Sequence, residues 1–407
     1  MAWTAVDQAL SSVTNFGVGI VVARAVSASD FGAFGIAFTT YLLIVGISRS
    51  LCTDPLLIRF SSENAAGRRL AVREASGAAL ALSLPMAALC GASAVAGGGT
   101  LATTLLVLAA FVPGLLVQDS MRFAFFTLGQ PAKATANDAF WLLFQLVAFS
   151  GLFMFADPTP ATLLAAWGAA ATAAAIVGPF QADIRPSPRR AVAWVRTHAD
   201  LGGRYLLDFF AIVGSVQLTI YGLAFSRGLS EAGSFRAAQL LLGPLNMLFI
   251  AALTTAVPEG VRMRERADGD LRTMCRLLAV FLPVVALPWV AALVVTPDRI
   301  GQAVLGPTWA GASRVVLPLG LATAVTGVLF AASSGLRALA NARRALRARL
   351  LMLPLTLVGG LGGALFAGAG GSAVGLLGAN SIGGAIWWVQ FSRAAAETTP
   401  PARQPAE

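Results

Sequence analysis

Long apolar runs, repeated along almost the whole chain, decide what this sequence can fold into. They fall at about 3–25, 34–58, 73–96, 101–127, 135–156, 161–180, 204–226, 235–257, 274–296, 313–335, 349–368 and 372–392. Crossing the hydrocarbon of a bilayer takes about 20 apolar residues in a helix. Barrel strands would give segments of about 10 residues with alternating polarity, whereas these runs are unbroken and rich in Leu, Ala and Gly. Charge is scarce as well: 12% of residues are charged and 57% hydrophobic, with a mean hydropathy of +0.75. A soluble domain carries roughly 25% charged residues. The fold class read here is all-α, a polytopic membrane protein of about twelve spans. Spans one, two, seven and eight are the least hydrophobic. The first, Ala2 to Val26, lacks a basic start and carries Asp7 and Asn15, so it reads as a retained span rather than a cleaved signal.

The chain has a net charge of +10, which in a soluble protein would suggest nucleic acid. The position of the charge argues otherwise. Every second loop is basic: Arg59, Arg68, Arg69 and Arg73, then Lys133, then Arg185, Arg189, Arg190, Arg196 and Arg204. The series continues with Arg262, Arg264, Arg266, Arg272 and Arg276, then Arg337, Arg343, Arg344, Arg347 and Arg349, then Arg393 and Arg403. These are 22 of the 29 basic residues. The opposite loops hold Arg24, Arg227, Arg236, Arg299 and Arg314. Basic loops mark the cytoplasmic side, so both termini are predicted cytoplasmic in a multi-pass protein of the bacterial plasma membrane, with no nucleic-acid partner.

An internal repeat divides the chain. Arg24-Ala-Val-Ser27 recurs as Arg227-Gly-Leu-Ser230, Leu84-Pro85 as Leu287-Pro288, and Val112-Pro113 as Leu317-Pro318, at offsets of about 203 to 205. Asp30-Phe31-Gly32-Ala33 likewise aligns with Ser234-Phe235-Arg236-Ala237. An even number of spans per repeat makes the halves parallel, as in parallel-repeat transporters. The expected organisation is a six-helix lobe at 1–180, a cytoplasmic linker at 181–203, a second six-helix lobe at 204–392 and a cytoplasmic tail at 393–407. Trp194, among basic residues of the linker, is expected at the membrane interface.

Polar groups inside spans are costly and mark function. Asp7, Ser11, Thr14 and Asn15 share one helical face, as do Asp208, Ser215 and Thr219, and as do Arg236, Gln239, Gly243 and Asn246. Such stripes would line a central hydrophilic cavity. Arg49 lies deep in span two, and span five opens with Asn137 and Asp138. Asp119 and Arg122 are spaced i, i+3 on one helix, which suits a pair along that helix; a structural ion pair and a substrate contact are both open readings. Asp7, Arg24 and Arg204 sit near span ends, where snorkelling is the bland reading. A guanidinium facing a cavity suits phosphate, which it binds through paired hydrogen bonds. The candidate substrate-binding set is therefore Arg49, Arg122, Asp119, Asp7, Asn15, Asp208, Arg236, Gln239 and Asn246. Cys52, Cys90 and Cys275 have no metal-site spacing, His198 stands alone, and there is no Walker sequence. No cofactor, metal or catalytic residue is expected.

Several short stretches resemble polysaccharide-biosynthesis flippases of the Wzx type, in the multidrug/oligosaccharidyl-lipid/polysaccharide (MOP) exporter superfamily. They are Asp7-Gln8 through Asn15-Phe16, Ala23-Arg24-Ala-Val-Ser27, Asp30-Phe31-Gly32-Ala-Phe34, Asp119-Ser-Met-Arg122, Leu128-Gly129-Gln130, Gly243-Pro244-Leu245-Asn246 and Leu305-Gly306-Pro307-Thr308-Trp309. The resemblance implies twelve helices in two lobes. It also implies alternating-access transport of a polyprenyl-linked saccharide, with membrane lipids and other polysaccharide-assembly membrane proteins as partners of a monomer. It maps Arg49 and Arg122 to the cationic lumen. Two rivals are carried: a proton- or sodium-coupled small-molecule exporter of the same fold, using Asp7, Asp119 or Asp208, and a membrane-embedded glycan-processing enzyme. The enzyme reading calls for a large external loop, and no loop here exceeds about 25 residues.

Overall fold

The structure is a computed structural model that describes residues 2–266 and 270–398. Arg403 and the rest of the expected tail beyond 398 lie outside the described residues. Every regular element among the described residues is a helix. In chain order the first half runs α1 (Ala2–Ala25), α2 (Ala28–Ser48), a π-helical turn (Arg49–Thr53), α3 (Asp54–Phe60), α4 (Ala65–Gly97), α5 (Gly99–Thr127), α6 (Pro131–Phe155) and α7 (Pro160–Ala182). Two shorter helices follow, α8 (Ala191–Thr197) and α9 (Ala199–Phe209), then a second π turn (Phe210–Gly214) and α10 (Ser215–Arg227). The remainder is α11 (Leu229–Leu241), α12 (Gly243–Arg266), α13 (Leu271–Val294), α14 (Asp298–Leu305), α15 (Trp309–Ala338), α16 (Ala342–Leu357), a third π turn (Val358–Gly362) and α17 (Gly363–Thr398).

Nine of these helical stretches are long and apolar enough to cross a bilayer, the last being Ala342–Glu397. That stretch is broken at Ala367 and Gly368, whose backbones are non-helical, so it folds back as two rods. Ala28–Phe60, weak by the sequence reading, qualifies once α2, the π turn and α3 are seen as one rod. The α1 rod and the α9–α10 rod are the polar ones, and with them each half contains six rods. Phe225, Val95 and Phe366 are each more than four-fifths exposed; lipid contact accounts for apolar exposure on this scale.

By internal packing the chain forms two units, Met1–Gln217 with Gln302–Thr308, and Leu218–Gly301 with Trp309–Glu407. In the first, α4 packs on α5, α5 and α6 on α7, and α2 on α5. In the second, α13 packs on α15, α15 and α16 on α17, and α11 and α12 on α15. The same neighbour order thus recurs. Pro85 and Pro288 take equivalent places in α4 and α13, as do Pro113 and Pro318 in α5 and α15. Small residues let these helices approach, as is usual where lipid removes the hydrophobic drive between them. A Cβ on Gly114 of α5 would lie 2.0 Å from the Thr172 hydroxyl of α7, and one on Gly168 of α7 would lie 2.6 Å from the Phe111 ring.

The stretch 181–203, expected as a linker, is not a loose one. It is strapped to the first unit: Ser187 N–H donates to Arg73 O at 2.9 Å, Arg190 pairs with Glu74 at 2.7 Å and Arg59 with Asp200 at 2.6 Å. Trp194, expected at the membrane interface, is buried between Phe60 and His198, with ring centroids 5.6 and 4.1 Å away. Its indole supplies more apolar area than the flanking arginines can solvate away, so it closes a core cluster with Leu56, Val72 and Phe125.

Gly306 explains part of the Leu305-to-Trp309 motif. Its φ of +56° lies in the left-handed region, which glycine enters freely, and a Cβ there would lie 2.6 Å from Arg24 O. In the second unit Arg227, expected as a loop charge, closes the α17 break instead. Its guanidinium donates to the carbonyls of Ala364, Leu365 and Phe366, while Glu231 accepts the Ala369 N–H at 2.6 Å. Helix ends leave such carbonyls and amides without intrahelical partners. Replacing Arg227 or Glu231 with Ala should cost about 1–3 kcal/mol of stability. Thermal unfolding in detergent reads this, with exposed Arg299→Ala as the control that should unfold like the wild type.

Candidate functional site

The first unit contains a buried ion network organised by α5. Successive helical residues are rotated by about 100°, so residues i and i+4 share a face. Gln118 and Arg122 form one such pair on α5, and Asp119 and Phe123 form another. The first pair faces α6 and α1. Gln118 Nε2 donates to Asp138 Oδ1 at 2.8 Å. Arg122 Nε donates to Asp7 Oδ2 at 2.7 Å and lies 3.5 Å from Asp138 Oδ2. Arg122 Nη1 also reaches the Ser11 hydroxyl at 3.3 Å.

The second pair faces the π turn that ends α2. Arg49 Nε and Nη2 donate to the two Asp119 carboxylate oxygens, the shortest contact being 2.6 Å. The same guanidinium lies 5.2 Å from the Phe123 ring centroid, within cation–π range. A π turn carries i→i+5 hydrogen bonds and occurs often at functional sites. Here it sets where Arg49 emerges from the helix. The turn is supported by α9: a Cβ on Gly46 would lie 2.1 Å from the Phe209 ring, and one on Gly202 would lie 3.2 Å from Ser50 O.

The structure therefore revises the pairing expected along α5. The ion pairs of Asp119 and Arg122 run to other helices, to Arg49 on one side and to Asp7 and Asp138 on the other. Two guanidiniums meet three carboxylates. Exposure separates the two arginines: the Arg49 side chain keeps 38% of its surface, and Arg122 only 10%. Arg49 uses Nε and Nη2 for Asp119, so its Nη1 edge remains for a further acceptor. On the carboxylate side, Asp7 Oδ1 is buried and has no hydrogen-bond partner among the described residues.

The other candidates are placed apart from this network. Asn15 is exposed, while Thr14, one residue earlier, is buried and bonded to Leu10 O, so the α1 stripe is not a single wet face. Asp208 is half-buried on α9. In the second unit, Arg236 donates to Gln239 Oε1 at 3.2 Å, and Asn246 is exposed on α12. Thr219 is a packing residue: a Cβ on Gly360 would lie 2.2 Å from its hydroxyl. Two members of the network, Asp138 and Gln118, were absent from the candidate set. The signal was present, because both interrupt apolar spans. Among the described residues no group of His, Cys, Asp and Glu could hold a metal ion.

An inward-facing multidrug resistance MATE family transporter of the MOP superfamily superposes with a TM-score of 0.73, covering 98% of this chain and 100% of that one at 12% identity. The lipid II flippase MurJ, in an inward closed conformation, also gives 0.73 at 12% identity, over 98% and 91% of the two chains. The chain has the MOP transporter fold. A MOP superfamily transporter from Pyrococcus furiosus, described by the reverse polarity of its binding pocket, aligns at 0.50 with 11% identity over 98% and 94%. No family model and no curated protein matches the sequence. The MOP fold accounts for the six rods per half and their recurring packing, and together with the nine long apolar helical stretches it fits a polytopic membrane protein.

Breaking a buried pair strands a charge and costs about 3–5 kcal/mol. Arg122→Gln should therefore lower thermal stability in detergent by that order, and Asp7→Asn should recover part of the loss in the double variant. Arg49→Gln should cost less, because its side chain is 38% exposed. Equal losses for the two arginines would contradict the division drawn here.

Proposed function

We propose that this protein is a transporter that moves a polyprenyl-linked oligosaccharide across the bacterial plasma membrane by alternating access, for cell-surface polysaccharide assembly, with both termini cytoplasmic. The observation that carries the reading is Arg49: a guanidinium deep in a span, held by Asp119 yet 38% exposed, with its Nη1 edge unused by that pair. Paired N–H donors suit the oxygens of a diphosphate, and a cation inside a bilayer is costly enough to mark a substrate path. Of the two arginines mapped by the Wzx resemblance, Arg122 is assigned to holding α1, α5 and α6 together and Arg49 to meeting substrate. The lipid II flippase among the similar structures carries a lipid-linked substrate on the same fold, which supports the class of cargo. The domain roles follow the two halves of the repeat, and Arg236 with Gln239 is proposed as a polar contact belonging to the second half.

The test is headgroup translocation of a fluorescent polyprenyl-diphosphate saccharide in reconstituted liposomes. Arg49→Ala should lower the initial rate at least tenfold, and Arg49→Lys should restore part of it. Wild-type rates in correctly folded Arg49→Ala would remove the diphosphate contact.

A second reading, proton-coupled export of a small molecule, is favoured by one specific observation. Three carboxylates face two guanidiniums in a buried setting, and one Asp7 oxygen lacks a partner. Full ionisation would leave an unbalanced negative charge at low dielectric, where that is expensive. If the network carries the coupling proton, Asp138→Asn should abolish proton-gradient-driven accumulation while leaving downhill transport intact. Unchanged gradient dependence in that variant would exclude this role for the network.

A further inference from the structure

The arginine-rich end of the first unit holds a pocket that the transport reading does not use. It has a volume of about 440 Å³ and is lined by Arg69, Leu70, Arg73, Asp183, Ile184 and Arg185. The pocket is built rather than incidental. Residues 183–187 lie along the first turns of α4, fixed by the Ser187 N–H bond to Arg73 O at 2.9 Å. The approach is so close that a Cβ on Gly77 would lie 2.3 Å from the Ser187 carbonyl carbon.

Three of the neighbouring cations at this end are already matched. Arg69 Nη2 donates to Asp183 O and Oδ2 at 2.5 and 2.9 Å, Arg190 pairs with Glu74, and Lys133 Nζ donates to Gln181 O. Arg73 and Arg185 differ. Both are exposed, both line the pocket, and among the described residues neither guanidinium has an ion-pair or hydrogen-bond partner. Three guanidiniums against one carboxylate leave the pocket with two positive charges in excess, enough to draw in an anionic headgroup. Apolar surface adjoins it. Leu70 is half exposed on the wall, and on α7 the i, i+4 pair Ile176 and Phe180 is exposed, Phe180 to 79%, three residues before Asp183.

We infer that this pocket binds the phosphate of an anionic phospholipid, with Arg73 and Arg185 on the headgroup and Leu70 beside its glycerol and acyl region. Basic pockets at helix ends on the arginine-rich side of a membrane protein have the chemistry for such headgroups. Free inorganic phosphate is also an anion but gains nothing from Leu70 or from a bilayer alongside, so the lipid is the favoured source. This inference is independent of the transported cargo.

The experiment measures lipid retention and thermal shift of the purified full-length protein in detergent. The probes are short-chain phosphatidylglycerol, phosphatidylcholine with the same chains, and inorganic phosphate. Phosphatidylglycerol should bind the wild type at least tenfold more tightly than phosphatidylcholine, and inorganic phosphate at equal concentration should not displace it. Arg73→Gln with Arg185→Gln should abolish the preference, and Arg73→Lys with Arg185→Lys should keep part of it. The exposed pair Arg343→Gln with Arg347→Gln should bind as the wild type does. An unchanged preference in the Arg73/Arg185 glutamine variant would overturn the site. Equal binding of phosphatidylcholine, or full displacement by inorganic phosphate, would overturn the lipid assignment.

Discussion

The contact between Arg122 and Asp7 carries the first unit. It joins α5 to α1 in a place where both side chains are buried, and Asp138 extends it to α6. In hydrocarbon the alternative to pairing is a bare charge, so the pair ties the positions of three helices to one another. Small-residue packing between α5 and α7 then sets the depth of the same segment of α5. Arg49 completes the arrangement from α2 and is the member with surface to spare. Structural pinning and accessible charge are thus divided between two arginines that look equivalent in sequence.

The span pattern and the order of the repeat were legible because both are local. An apolar run of adequate length has one fate in a bilayer, and recurring Leu-Pro and Arg-to-Ser segments mark equivalent places in α4 and α13 or after α1 and α10. The partners of the intramembrane charges were not legible. Spacing pointed to Asp119 with Arg122, but the helix face, fixed only by packing, turns them toward different neighbours. The packing of the stretch 181–203 was not legible for a related reason. Its composition is that of a linker, and only tertiary structure shows that Phe60 and His198 enclose Trp194. Arg227 shows the limit of counting loop charges, because a guanidinium can serve backbone carbonyls as well as topology.

Similar folds with different cargo explain why architecture alone stops short of a substrate. A multidrug transporter and a lipid II flippase superpose equally well on this chain, and the Pyrococcus furiosus transporter is set apart by the polarity of its binding pocket. Here the balance is two arginines to three aspartates, with accessibility concentrated on Arg49.

The break in α17 has a consequence for biogenesis. Its exposed carbonyls and amide are satisfied by Arg227 and Glu231, which precede them by about 138 residues. Synthesis places N-terminal segments in the membrane first, so these two side chains are in position before the last hairpin leaves the ribosome. The final two rods therefore dock onto a polar clasp that is already present. Closure of the second half is a late, sequence-addressed step, and a chain truncated within α17 would leave that clasp open to quality-control proteases.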